Sequence, residues 1–264
     1  MFTLKSIKTT IFLALISSLA LSSCKKEKSE EPSSSLKPLL LTEFSDGTDV
    51  TRLTYNPDSS VRTITLNNDP ISLDDNVTYT VTYSQNKTIS ELNGSNGTNI
   101  KATYTNGKIE KAEMFNGTIK YAETEYTYAG GVINSSTISL VDNGSKTPYF
   151  KTVLTFNAAG NISRSDVSMF NPLTNQLEPT GYVLQQFDTN KNPFTSLGDV
   201  LLIFWQDASK NNTIKQSYFD AAGKPQEVVE TTYTYNAQGY PVRATMKETE
   251  PGQQPTTATI TYKY

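Results

Sequence analysis

From residue 39 onward the chain alternates apolar and polar side chains in short runs separated by turn residues. Tyr79, Val81 and Tyr83 fall on one side of an extended chain, with Thr78, Thr80 and Thr82 on the other. Tyr126 and Tyr128 stand in the same way against Glu125 and Thr127, and Ile260, Tyr262 and Tyr264 repeat the pattern. A period of two predicts strands with one dry face and one wet face. Two apolar runs break the alternation. Ile11 to Leu21 lies near the N-terminus, and Val200-Leu-Leu-Ile-Phe-Trp205 is the most apolar run after it. The second reads as a fully buried strand or as a plug packed inside the sheet.

The turns between strands repeat. Leu154-Thr-Phe-Asn-Ala-Ala-Gly-Asn-Ile162 matches Gln216-Ser-Tyr-Phe-Asp-Ala-Ala-Gly-Lys-Pro225 and Tyr233-Thr-Tyr-Asn-Ala-Gln-Gly-Tyr-Pro-Val242. Looser copies follow Tyr55, Tyr83, Tyr104 and Tyr128. In each unit Asn or Asp bonds its own backbone to start the turn. Gly160, Gly223 and Gly239 supply the positive φ that a short hairpin connection needs. The aromatic at the strand end covers the hairpin mouth against a cross-strand neighbour. Two strands per unit give roughly 14 to 18 strands joined as successive hairpins. The expected fold is all-β: a large antiparallel meander that curves strongly or closes like a barrel, aromatic faces inward, because so long a sheet must curl.

The N-terminal run has a different use. Lys5 and Lys8 precede it, and Leu21-Ser-Ser-Cys24 follows it. A basic region, a short apolar stretch and small residues before a cut are the parts of a secretory signal. A membrane span needs roughly 20 apolar residues, so this stretch is too short to cross. Cysteine at the cut site resembles a lipobox, which makes residues 1–23 a removed signal and Cys24 the lipidated N-terminus. Lys25 to Glu31, KKEKSEE, resembles the charged tags that direct lipoproteins to the outer face of a Gram-negative outer membrane. Residues 24–38 form a lipidated, flexible tether. Residues 39–264 form a single β domain, a length common for undivided sandwiches and barrels.

Composition narrows the chemistry. The chain has 23 basic and 26 acidic side chains, and loss of Lys5 and Lys8 leaves 21 against 26, a net −5. That balance offers no basic stripe for nucleic acid. There is no histidine and a single cysteine, so His-dependent nucleophile pairs cannot form and zinc sites lack their usual His and Cys ligands. No cofactor is expected, and no disulfide framework can form.

Phe187-Asp-Thr-Asn-Lys-Asn-Pro-Phe194, Lys210-Asn-Asn-Thr-Ile-Lys215 and Tyr235-Asn-Ala-Gln-Gly-Tyr-Pro-Val242 occur in that order. In this the chain resembles a family of uncharacterised bacterial lipoproteins whose domain is described as porin-like in fold. The resemblance is strongest from about 183 to 246. The hairpin units are also similar to the tyrosine–aspartate repeats of Rhs-type shell proteins. Both imply a large antiparallel sheet closing as a barrel-like body, and neither brings catalytic residues.

Candidate sites are few. Asp188, Asn190, Asn192 and Asp199 fall at positions 1, 3, 5 and 12 of a calcium-loop spacing, but Pro193 stands where the loop requires Gly. Turn chemistry accounts for them better. The carboxylate pairs Asp46 with Asp49, Asp74 with Asp75 and Glu227 with Glu230 have no evident cleft to flank. Trp205, beside the polar stretch 206–213, is a core residue or a stacking platform for a sugar ring. The leading expectation is a non-enzymatic, surface-exposed binding or interaction module, held to the membrane by Cys24 and meeting polysaccharide or envelope proteins. A glycan-binding or glycan-degrading accessory comes second. A pore comes third, since one strand face is rich in Thr, Glu, Lys and Ser and a lipid-facing barrel needs an apolar band.

Overall fold

The computed structural model of the chain describes residues 39–67, 76–205 and 209–264. The segments expected to be a leader and a tether, with Cys24, lie outside the described residues. The first eight strands are β1 (Glu43–Ser45), β2 (Val50–Tyr55), β3 (Val61–Leu66), β4 (Val77–Tyr83), β5 (Ile89–Gly94), β6 (Thr98–Thr105), β7 (Lys108–Asn116) and β8 (Ile119–Ala129). The longer second half has β9 (Val132–Asp142), β10 (Ser145–Phe156), β11 (Ile162–Asn171), β12 (Gln176–Phe187), β13 (Thr213–Asp220), β14 (Pro225–Tyr235), β15 (Pro241–Thr249) and β16 (Thr256–Lys263). Each pairs antiparallel with its sequence neighbours, and β1 pairs back with β16 to close a barrel of 16 strands. The all-β hairpin meander and its closure follow the expectation from sequence.

Alternation decides which face is inside. Tyr79 is fully buried on β4, Leu92 on β5 and Ile100 on β6, while the threonines between them point out. Each fully buried Val, Leu, Ile or Phe contributes about 1.5–3 kcal/mol relative to exposure. The outer face carries Arg52 and Thr54 on β2, Lys101 and Thr103 on β6, Lys111 and Glu113 on β7, and Arg243 and Thr245 on β15. Charges there pair across strands. Glu123 is almost fully buried under Lys120 and Lys146, and burial pushes its carboxyl up. The two ammonium groups outweigh that and bring it down to about 2. Farther round, the Arg164 guanidinium lies 3.8 Å from the Tyr182 ring centre, which stacks on Phe219 at 4.8 Å.

One end of the barrel repeats a single corner. At the end of β2, β4, β6, β8, β10, β12 and β14 the register slips beside an aromatic residue: Tyr55, Tyr83, Tyr104, Tyr128, Phe156, Phe187 and Tyr235. A bulge bends and twists its strand, so seven at one level turn the sheet into a cylinder. The aromatics do more than cover the hairpin mouth. Tyrosine hydroxyls at this end, of bulge residues and others, reach back one strand and donate to the backbone: Tyr83 to the Val61 carbonyl at 2.8 Å, and Tyr128 to Ile109 at 2.9 Å. Tyr233 donates to Thr213 at 3.0 Å, Tyr264 to Pro241 at 2.7 Å and Tyr55 to Leu41 at 2.6 Å. This tyrosine end also holds the start of β1 and the last residue, Tyr264.

The turns share one chemistry. The Asn157 side chain accepts from the amides of Ala159 and Asn161, Asp220 from Ala222 and Lys224, and Asn236 from Gln238 and Tyr240. Gly160, Gly223 and Gly239 take φ of 82°, 80° and 79°, where a side chain would be strained. Gly160 and Gly239 sit at the tyrosine end and Gly223 at the opposite, far end.

Each tyrosine bond should contribute about 1 kcal/mol. Tyr83→Phe, Tyr128→Phe and Tyr233→Phe should each lower Tm by about 2–4 °C in a chain of this size, and the three should add because the sites are far apart. Thermal melts of the singles and the triple check this. A triple variant melting with the parent would refute it.

Candidate functional site

The tyrosine end is closed from within by the segment between β12 and β13. Where the β10–β11 hairpin uses the five-residue turn 157–161, this one runs from 188 to 212. The turn itself survives the insertion. In the short turn the Asn157 amide donates to the Asn161 carbonyl, and in the long one the Asp188 amide donates to the Asn212 carbonyl at 3.0 Å. The Asp188 carboxylate accepts from the amides of Asn190 and Asn212 at 3.0 and 3.1 Å, the two roles that Asn157 fills within five residues. It also accepts from the Asn212 side chain and the Tyr235 hydroxyl.

Amides clamp the inserted segment at its feet. Asn161 and Asn211 bond each other twice, at 3.0 Å each, and the Asn211 side chain donates to the Asn190 carbonyl at 3.0 Å. Ser209 Oγ accepts from the Ile162 amide at 3.0 Å. Asn192 caps a 3₁₀ turn, Pro193–Leu197, by accepting from the Phe194 amide at 2.9 Å, and its own amide donates to the Ser209 carbonyl at 2.8 Å. Gly198 breaks that turn at φ 55°, and a short helix, α1 (Asp199–Trp205), follows.

The apolar run 200–205 is therefore a helical plug and not a strand. A helix that is apolar on every side belongs inside a core, and this one lies in the barrel. Phe204 meets Tyr79 with ring centres 5.0 Å apart, Trp205 meets Phe44 at 6.0 Å, and Phe194 meets Phe44 at 4.9 Å. The Tyr126 hydroxyl donates to the Leu202 carbonyl at 3.1 Å. Trp205 is only 5 % exposed, so it offers no outer surface for a sugar ring to stack on.

One charge enters with the plug. Asp199 sits at the first turn of α1, where the helix dipole favours a carboxylate. Burial raises its pKa, and the neighbouring Tyr104 hydroxyl works the other way. The same carboxylate pushes Tyr83, Tyr104, Tyr126 and Tyr128 toward their neutral forms, in addition to the larger effect of burial.

The calcium-like spacing is thus divided. Asp188, Asn190 and Asn192 serve the clamp, and Asp199 faces tyrosines from the helix. The carboxylate pairs do not converge either. Asp46 organises its own turn by accepting from the Thr48 and Asp49 amides. Glu227 pairs with Tyr218 on the inner face, and Glu230 meets Lys215 at 3.2 Å on the outer face. Asp74 and Asp75 lie outside the described residues.

Closure, bulges and plug define a 16-stranded antiparallel barrel of porin-like fold. Solved structures share it. A porin-like protein from Bacteroides vulgatus aligns with TM-score 0.57 at 15 % identity, over 86 % of this chain and 99 % of its own. A porin-like protein from Bacteroides uniformis aligns with TM-score 0.56 at 14 % identity, over 84 % of this chain and 94 % of its own. At these identities the likeness is one of fold. No family model and no curated protein sequence matches the chain.

Two expected outcomes follow. Replacing 188–212 by the five residues of 157–161 should keep the β12–β13 register but strip the cover from the inner face. Such a variant should bind a hydrophobic dye at temperatures where the parent does not, and dye fluorescence with circular dichroism reads both. Asp199→Asn should raise Tm at neutral pH. A carboxyl whose folded pKa is raised adds stability as pH falls through that value, complete below its unfolded pKa of about 3.9. The parent should therefore gain stability on acidification across that window, and the Asn variant should lack this gain. Parallel slopes in melts from pH 8 to pH 4 would sink the assignment.

Proposed function

We propose that this chain is a lipid-anchored cell-envelope protein whose plugged barrel works as a non-enzymatic binding or interaction module. The observation that carries the reading is the direction of the two sheet faces. Thr, Lys, Arg and Glu point out along β2, β6, β7 and β15, and the apolar face points inward onto the plug. A barrel in lipid needs the reverse, an outward apolar band about 25 Å tall. This body suits water and needs another means of reaching a membrane. The signal-like leader and Cys24 supply one, since two or three acyl chains hold where a single chain is marginal.

The placement of the ends supports an orientation. The tether joins the domain ahead of β1, whose start pairs with Lys263 at the tyrosine end, so the plugged end faces the membrane and the far end faces away. A tether of roughly 15 residues spans at most about 50 Å. The charged cluster 25–31 favours the outer leaflet.

A pore is the second reading, favoured by the closed barrel and by the porin-like names of its structural neighbours. The outer face and the plug count against it. Cys24→Ser separates the two. A tethered module should leave the membrane fraction for the soluble fraction on that change, and the purified parent should give no conductance steps in planar bilayers. A Cys24→Ser protein that resists alkaline carbonate extraction, together with stepwise conductance, would establish the pore instead.

A further inference from the structure

The plug covers one side of the barrel interior. Its rings meet Phe44 on β1, Tyr79 on β4 and Tyr262 on β16, and its backbone accepts from Tyr126 on β8. Val183 on β12, Val229 on β14 and Met246 on β15 are buried apart from that cluster. Register places polar groups beside them on the same inner face. Ser165 and Tyr218 stand opposite Val183, Gln185 opposite Gln216, Glu227 opposite Tyr218, and Glu248 opposite Val229.

Two of these groups are unpartnered. Gln185 is 6 % exposed and Ser165 5 %. Among the described residues neither amide atom of Gln185, nor Ser165 Oγ, has a hydrogen-bond partner. Leaving a buried donor or acceptor unmade costs about 1–3 kcal/mol, and native interiors keep few such groups. Neither residue has turn or cap work to do, because both lie within strands.

We infer that the inner wall of β11–β15 is a binding site for a neutral, hydroxyl-rich ligand of the sugar class. This rests on reading the barrel as a binding module. A primary amide offers a donor and an acceptor side by side, and a hydroxyl group answers both. Glu227 and Glu248, nearer the far end, accept from further hydroxyls. Burial and those two carboxylates keep the Tyr218 phenol protonated as a donor between them. Val183 and Met246 give apolar surface for the C–H face of a ring. Gln216 and Tyr218 are two residues apart on β13, about 7 Å along a strand, a span that suits one pyranose.

Charge selects among ligands. Arg164, Lys215, Arg243 and Lys247 all belong to the outer face by register, so nothing cationic among them opposes Glu227 and Glu248, and an anion is disfavoured. A cationic amine would satisfy the carboxylates but has no acceptor for the Gln185 amide. The far mouth admits solvent to the inner face, where Leu140 on β9 is 47 % exposed opposite buried Ala122.

The test is ligand-detected NMR and calorimetry on the full chain in detergent, with maltose, cellobiose, lactose and mannobiose as probes. Spermidine and glucuronate serve as charged controls. At least one neutral disaccharide should bind at millimolar concentration or tighter. Gln185→Leu should weaken it at least tenfold while melting no lower than the parent, since leucine leaves no amide unpaired. Ser165→Ala should weaken it less and gives a second variant should the first fail to fold. The site is overturned if no neutral disaccharide binds, if both variants bind like the parent, or if only a charged control binds. Failure here leaves the Cys24→Ser fractionation untouched, so the envelope reading stands or falls separately.

Discussion

Sixteen strands enclose more space than their own side chains can fill. Barrels of eight strands pack solid, whereas those of sixteen to eighteen leave an aqueous channel when their inner face is polar. Here the inner face is lined by Ile64, Tyr79, Leu92, Ile100 and Ile109, and water in contact with it would forfeit most of the folding free energy. The segment 188–212 resolves this conflict. It packs Phe194, Val200, Leu201, Phe204 and Trp205 against that face, and the barrel and plug share one core. At the tyrosine end Asn161, Ile162 and Asp188 hold the feet of that segment in place.

The device that holds it is economical in sequence. The hairpin turn already contains an Asn or Asp whose side chain gathers two amides and whose own amide closes the loop. Opening that turn between Asn190 and Asn212 keeps all three bonds. The insertion therefore leaves the strand register alone. Loop-closure entropy grows only slowly with length, so the longer excursion costs little beyond the ordering of its own residues, which apolar burial offsets.

Much of this was legible in the residues, because strand alternation and turn chemistry are local. The parity of Tyr79, Val81 and Tyr83 marks the inner face directly, and the Asn-Ala-Ala-Gly and Asp-Ala-Ala-Gly turns announce their geometry. The run 200–205 was harder to read: six apolar residues fit a buried strand as well as a buried helix, and the choice depends on the cavity around them. The equivalence of Asn161 and Asn212 was hidden by the inserted chain between Asp188 and its partner. Gln185 could have been found, since it shares parity with Val183 and Phe187 and so falls on the dry face. What sequence lacked was the knowledge that no neighbour answers its amide.

The seam of the barrel sets the order of its assembly. β1 has three residues, all paired with both flanking strands, and the Glu43 side chain adds an ion pair to each, meeting Lys263 at 2.7 Å and Arg52 at 3.0 Å. All other strand pairs join near neighbours in the chain and can zip as soon as both members exist. The β1–β16 pair joins residues at opposite ends of the domain, the most distant strand pairing among the described residues and the slowest kind to form. Until it forms, β1 and β16 present open edges, the usual templates for pairing between molecules. The open sixteen-strand sheet is thus the species most exposed to misassembly, and a pairing of three residues separates it from the finished barrel.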